Sequence, residues 1–144
     1  MIKFSLPIYY TKEFKTKKWT THLVGANWFR NLHPHEKNKL KQGYHKLVSE
    51  ALQDTETRIL GKYSTEYKYY FKSSVSDASN VISQVEKFAL DGLKEYGYIT
   101  DDSVRFHVQS DGWTVEEDKT NPRLEIIIRS IDGRTWFWLG YKTA

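Results

Sequence analysis

The stretch DASNVISQVEKFALDGLKEYGYITDDS, residues 77–103, decides how the rest of the chain is read. Val81, Ile82, Val85, Phe88, Ala89, Leu90 and Leu93 recur at helical spacing and predict a helix over residues 81–96, with Gly97 as its C-terminal stop. The helix is apolar over most of its circumference. Asn80, Gln84, Lys87 and Asp91 are the exception: they sit at i, i+4, i+7 and i+11, within about 60° of one another at 100° per residue. Asp77 lies just before this polar stripe, and Asp101 and Asp102 follow the loop beyond its far end. Such a stripe on a surface helix is ordinarily a solvated face, Asp77 a turn or capping residue, and Asp101 and Asp102 loop acids. On a helix this apolar, the same residues also make a candidate site in which separated carboxylates converge around a helix end.

Working outward, residues 2–8 alternate and read as a first strand, with Pro7 at an edge. Residues 9–30 are basic, aromatic and irregular, and fit a loop or a short strand pair. His33-Pro34 resembles a helix start, since proline costs nothing in the first turn. Leu40, Tyr44, Leu47, Val48, Ala51 and Leu52 continue that helix to about residue 53. Residues 67–72 read as a strand with Tyr67, Tyr69 and Phe71 on one face. Residues 104–109 and 123–131 are further strands, and the acidic stretch 110–122 reads as a loop. Asp132-Gly133 predicts a hairpin turn that folds residues 135–141 back as a last strand. The expected architecture is one α+β domain over residues 1–144: a small mixed or antiparallel sheet with two main helices.

The net charge of +4 is unevenly distributed. Residues 1–49 hold ten Lys/Arg against two acids, and the remainder holds twelve against sixteen. A basic half joined to an acidic half points to a polyanion-binding surface beside a carboxylate site, with a merely solvated basic face as the alternative. Lys12, Lys15, Lys17, Lys18, Arg30 and Lys72 are the candidate DNA-binding cations. Tyr9, Tyr10 and Trp19 lie among them, as base-stacking platforms do, although aromatics also favour strands for their own sake.

The chain has no cysteine, which excludes disulfides and cysteine-based zinc sites. His22, His33, His35, His45 and His107 are scattered and offer no zinc-binding pair. Walker, dinucleotide and Gly-x-Ser-x-Gly patterns are missing, which argues against ATP, NAD and serine-hydrolase chemistry. With no apolar run near the roughly 20 residues that span a bilayer and no signal-peptide core, a soluble cytoplasmic protein is expected.

A cluster of Asp77, Asp102, Asp101 and Asp91 suits a hard cation such as Mg²⁺ or Mn²⁺, which takes one or two carboxylates, several waters and a substrate phosphate. The metal would activate water and neutralise charge on the phosphate. Lys87 would stabilise the transition state or orient that water, and Asn80 would fix a ligand carboxylate or hold the turn.

At these residues the chain resembles RusA-like Holliday-junction resolvases. Asp77-x-Ser79-Asn80, the run Lys87 to Leu93, Gly97-Tyr98-Ile99 and Asp101-Asp102 are similar to that family's signature of an Asp-x-Asp-Asn turn, a helix with Lys and Asp-Ala-Leu, a Gly-aromatic segment and a paired Asp. Phe4 to Pro7 and Arg123 to Ile126 are similar to its opening and closing strands. The resemblance implies a Mg²⁺- or Mn²⁺-dependent endodeoxyribonuclease, a homodimer that cuts four-way DNA junctions, in a bacterial or phage setting. It places Asp77 and Asp102 as metal-binding acids, Asp101 as a less critical neighbour and Lys87 as the catalytic lysine. Two departures stand out. Ser79 replaces the second acid of the turn, for which Asp91 is a substitute. Four extra residues separate Asn80 from Lys87, which carries the lysine about 6 Å further along the helix on nearly the same face. The rivals are a non-catalytic DNA-binding or regulatory protein on the same fold and an interaction protein using its exposed aromatics.

Overall fold

The computed structural model describes residues 1–13, 19–136 and 142–143. The alternation of Ile2, Phe4 and Leu6 with Lys3, Ser5 and Pro7 produces strand β1 (Ile2–Pro7), buried on one face and exposed on the other. It pairs antiparallel with β7 (Arg123–Ser130), so that Ile2 lies opposite Ile128, Phe4 opposite Ile126 and Leu6 opposite Leu124. On the far side of β7 runs β5 (Tyr63–Phe71), also antiparallel, which adds Thr65, Tyr67 and Tyr69 to the same apolar face. The fourth strand, β6 (His107–Glu117), pairs parallel to β5 at the sheet edge, giving the order β1-β7-β5-β6. The architecture is α+β and the sheet is mixed.

Two long helices supply the buried cover of this sheet. In α2 (Pro34–Ala51) Pro34 occupies the first turn, as its sequence suggests, and the His33 ring accepts the His35 amide at 3.1 Å as the N-cap. Its buried face is Leu40, Tyr44 and Val48, with His45 alongside, while Leu47 is exposed. The second, α3 (Ala78–Glu95), buries Val81, Ile82, Val85, Phe88, Ala89, Leu90 and Leu93. Phe88 stacks on Tyr44 with ring centres 4.8 Å apart and meets the edge of Phe29 at 5.2 Å. The helix ends where Gly97 turns left-handed, at φ 77°. There the Gly97 amide donates to Lys94 O at 3.1 Å and the Tyr98 amide to Leu93 O at 2.8 Å, the Schellman pattern.

Several expectations need correction. Residues 110–122 are not a loop, because β6 continues to Glu117. This strand is mostly exposed on both faces, so no apolar alternation marks it, and its acids sit in water. Residues 104–106, expected as strand, form a turn. Strand β5 begins at Tyr63 rather than Tyr67. Of the two readings of residues 9–30 the short strand pair is the one observed, β2 (Tyr9–Glu13) antiparallel to β3 (Trp19–Leu23), with a short helix, α1 (Ala26–Arg30), after it. The Asp132-Gly133 turn does not return the chain onto β7. Instead β8 (Thr135–Trp136) pairs with the unforeseen β4 (Arg58–Ile59) and with β9 (Lys142–Thr143). Residues 137–141 of the expected last strand lie outside the described residues.

Phe88 is only 3% exposed and joins α1, α2 and α3. Phe88→Ala is expected to lower the unfolding free energy by about 3–5 kcal/mol, read from urea denaturation, and Phe88→Leu by markedly less.

Candidate functional site: a cleft between α3 and the start of β6

The two ends of α3 hold the residues singled out from the sequence, and the structure keeps those ends apart. At the N-terminus Asp77 is the helix cap: its Oδ1 accepts the Asn80 amide at 3.3 Å and the Ser79 hydroxyl at 3.0 Å. Asn80 turns towards α1, where its Oδ1 accepts the Asn27 amide at 3.4 Å. Helix α1 begins at Gly25, which has no side chain to cap it, so Asn80 supplies the acceptor. A Cβ on Gly25 would collide with the Asn80 amide, so this close approach requires glycine there. The Asp77–Asn80 turn, expected to be catalytic and metal-binding, works in this structure as a helix cap and a docking contact.

At the other end Lys94, in the last turn of α3, lies 2.8 Å from Asp101 and 3.8 Å from Asp102. Seventeen residues separate Asp77 from Lys94, which is about 25 Å of axial rise. Mg²⁺ binds its ligands at about 2.0–2.1 Å, so Asp77 and Asp102 of one chain cannot share an ion. The expected convergence of these two acids is thus overturned. Among the described residues, no group of three or more His, Asp or Glu side chains stands ready to hold a metal ion.

Part of the expected constellation does assemble. Lys87, Asp91 and Asp102 line one cleft of about 400 Å³, together with Glu86, Leu90 and His107. Helical spacing aims Glu86, Lys87, Leu90 and Asp91 to one side, and the chain returning after Gly97 brings Asp102 against them. Asp91 is also 3.7 Å from Lys41 on α2. Gln84 of the predicted polar stripe is buried instead, at 5% exposure.

Behind the cleft, the Tyr63 ring stacks on His107 at 5.2 Å, and the His107 Nε2 lies 2.9 Å from the Thr65 hydroxyl. The Tyr63 hydroxyl donates to Asp101 O at 3.0 Å. Burial, and then the charges of Asp102, Asp101 and Glu86, push the Tyr63 phenol far above its ordinary range. Burial, and then the Glu86 carboxylate, do the same to Tyr67. Both phenols stay protonated at any working pH. The hydrogen bond from Lys94 holds the Asp101 carboxyl well below the usual carboxylate range, helped by bonds from Ser103 and the Asp102 backbone. Asp101 in turn raises the Lys94 ammonium.

Glu86 and His107 escaped the sequence reading. Glu86 lies one residue from Lys87, which turns it about 100° around the helix from the edge of the stripe. His107 enters only because β6 pairs parallel with Tyr63 opposite His107, a fact no local pattern carries. Of the expected DNA-binding cations, Arg30 is exposed at the end of α1, and Lys72 lines a polar hollow with Tyr9, Thr21 and Lys119. Lys12 belongs to β2, its side chain outside the described residues, as are Lys15, Lys17 and Lys18. Among the described residues, no helix is long and apolar enough to cross a membrane. The chain matches no protein-family model and no curated protein sequence.

Two outcomes check these assignments. Asp77→Ala should cost about 1 kcal/mol through loss of the cap, while Asp77→Asn, which keeps an acceptor, should remain close to wild type. The Asp101 carboxyl resonance should titrate below the ordinary aspartate value of about 3.9 and return towards it in Lys94→Met. Because the folded-state value is lowered, the stabilisation from this pair is complete above the ordinary aspartate range. It disappears as pH falls through the lowered value.

Proposed function

We propose that this chain is a divalent-metal-dependent endonuclease acting on branched DNA, of the RusA-like resolvase type that its motifs resemble. Its working site is the α3–β6 cleft rather than the Asp77 turn. The observation that carries this reading is that Lys87, Asp91 and Asp102, contributed by a helix and by the loop that follows it, line one cleft with Glu86.

Asp91 and Asp102 offer carboxylate oxygen, the chemistry a hard cation prefers, and Mg²⁺ needs only one or two such groups besides water and a substrate phosphate. Asp102 and Asp91 would hold the ion, with Glu86 beside them. A bound Mg²⁺ or Mn²⁺ supplies an acidified water and neutralises charge on the phosphate. The exposed Lys87 ammonium draws the phosphate into the cleft and stabilises negative charge as the phosphoryl centre is attacked. Lys94 holds Asp101 and borders Asp102, offsetting the repulsion between these adjacent acids. A homodimer would present two such clefts to the two strands of a four-way junction.

A second reading, a DNA-binding or regulatory protein without cleavage, is favoured by one observation. Asp77, Ser79 and Asn80, at the positions resembling the family's acidic turn, are used for capping and docking. Incubation with a labelled four-way junction in Mg²⁺ or Mn²⁺, against an EDTA control, separates the two. Nicking is expected with metal, to fall about 100-fold or more in Asp102→Asn, to fall clearly in Asp91→Asn, and to persist in Asp77→Asn. Junction binding with no nicking under either metal would establish the second reading instead.

A further inference from the structure

Lys72, one of the expected DNA-binding cations, lies far from the cleft. Lys72 follows the C-terminal end of β5, whereas the cleft sits beside Tyr63 at its start, and nine strand residues span roughly 30 Å. A different basic group borders the cleft. Lys62, Arg105 and Arg134 line a cavity of about 430 Å³ with Gly61, Val104, Phe106, Val108 and Asp132. His107 of the cleft lies between Phe106 and Val108 of this cavity, so the two share one length of chain.

The cavity is built rather than incidental. Both oxygens of Asp132 are occupied by backbone: Oδ2 accepts the Lys62 amide at 3.0 Å and Oδ1 the Arg134 amide at 3.2 Å. Arg134 O accepts the Leu60 amide at 2.8 Å, and Lys62 O the Ile131 amide at 2.9 Å. A Cβ on Gly61 would strike the Asp132 carboxylate, so glycine is needed for this clasp. The clasp fixes Lys62 and Arg134 on one rim, while the turn before β6 sets Arg105 on the other. All three side chains are exposed, and among the described residues none forms a salt bridge. Three cations face one acid whose oxygens are already hydrogen-bonded. That arrangement suits an anion carrying several oxygens, which guanidinium groups grip in pairs.

We infer that Lys62, Arg105 and Arg134 form a subsite for the phosphodiester backbone of the nucleic acid, next to the bond presented to the Asp102 cleft. The inference rests on the nucleic-acid reading of that cleft but not on cleavage. The ligand chemistry, clustered phosphate oxygens, is shared by DNA and by free polyphosphate, and the test tells them apart.

Binding of a fluorescent four-way junction is measured by anisotropy in EDTA across a salt series, for wild type and for Lys62→Ala/Arg105→Ala/Arg134→Ala. Loss of three phosphate contacts should weaken binding by about 10-fold or more at low salt and flatten the log–log salt slope by about 2–3. Lys39→Ala/Lys46→Ala, on the exposed side of α2, should leave the slope near wild type. Arg105→Glu alone, at an exposed side chain, should also weaken binding, which separates loss of the subsite from loss of the fold. Inorganic pyrophosphate should compete only weakly. If the triple variant keeps its circular dichroism, affinity and slope, the inference fails. It also fails if pyrophosphate binds the cavity while the junction does not bind at all. Junction binding that depends on these three residues in a wild-type protein that never nicks would uphold the subsite and refute the nuclease reading. Nicking by wild type and triple variant with equal KM would do the reverse.

Discussion

Parallel pairing of β5 with β6 governs where the acids at the two ends of α3 come to rest. Two parallel neighbours cannot be joined by a tight turn, so the chain must leave the end of one strand, cross the sheet and re-enter beside the start of the other. Here the crossing is α3, seated over the sheet by Val81, Val85, Phe88 and Leu93. Asp77 stands at the departure end, just after β5 finishes, and Asp101 and Asp102 stand at the arrival end, just before β6 begins. The length of a helix necessarily lies between them. Their separation is therefore a property of topology, and no rotamer change can reverse it.

The same constraint accounts for what was and was not legible in the sequence. Strand β1, the Pro34 start of α2, the body of α3 and its Gly97 stop are written locally, in alternation, helical period and terminal residues. So was the grouping of Lys87 with Asp91, one helical turn apart. Asp102 lines the same cleft, because the return after Gly97 is short. The union with Asp77 failed because periodicity describes the direction of a side chain around an axis and ignores distance along it. Only the opening of β6, residues 107–109, is legible as strand: an edge strand wet on both faces has no apolar rhythm, and Asp111, Glu116 and Glu117 make its continuation read as loop. The Asp132-Gly133 turn does use a left-handed glycine at Gly133, yet its aspartate is recruited by Lys62, seventy residues away in sequence.

Charge counted by halves of the chain does not resolve the surroundings of the cleft. The excess of lysine before residue 50 led to the hairpin and α1 as the anion-binding surface. Around the neighbouring cavity the cations come from the acidic remainder, Lys62 before β5, Arg105 before β6 and Arg134 after β7, while Lys41 of the basic half lies against Asp91 of the cleft. Their neighbourhood exists only in the folded sheet, where the starts of β5 and β6 and the end of β7 meet. A linear tally averages such local excesses away.

Among the described residues, strand β6 is held along one flank alone, by β5, with irregular register at Tyr63/Ser64 and again at Thr65/Tyr67. Its opening residues nevertheless furnish walls for two different hollows, His107 for one and Val108 for the other. Fraying of this single margin would dismantle both hollows in the same event. The acidic and basic recesses are thus mechanically joined, and whatever pins the first turn of backbone in β6 steadies the pair of them together.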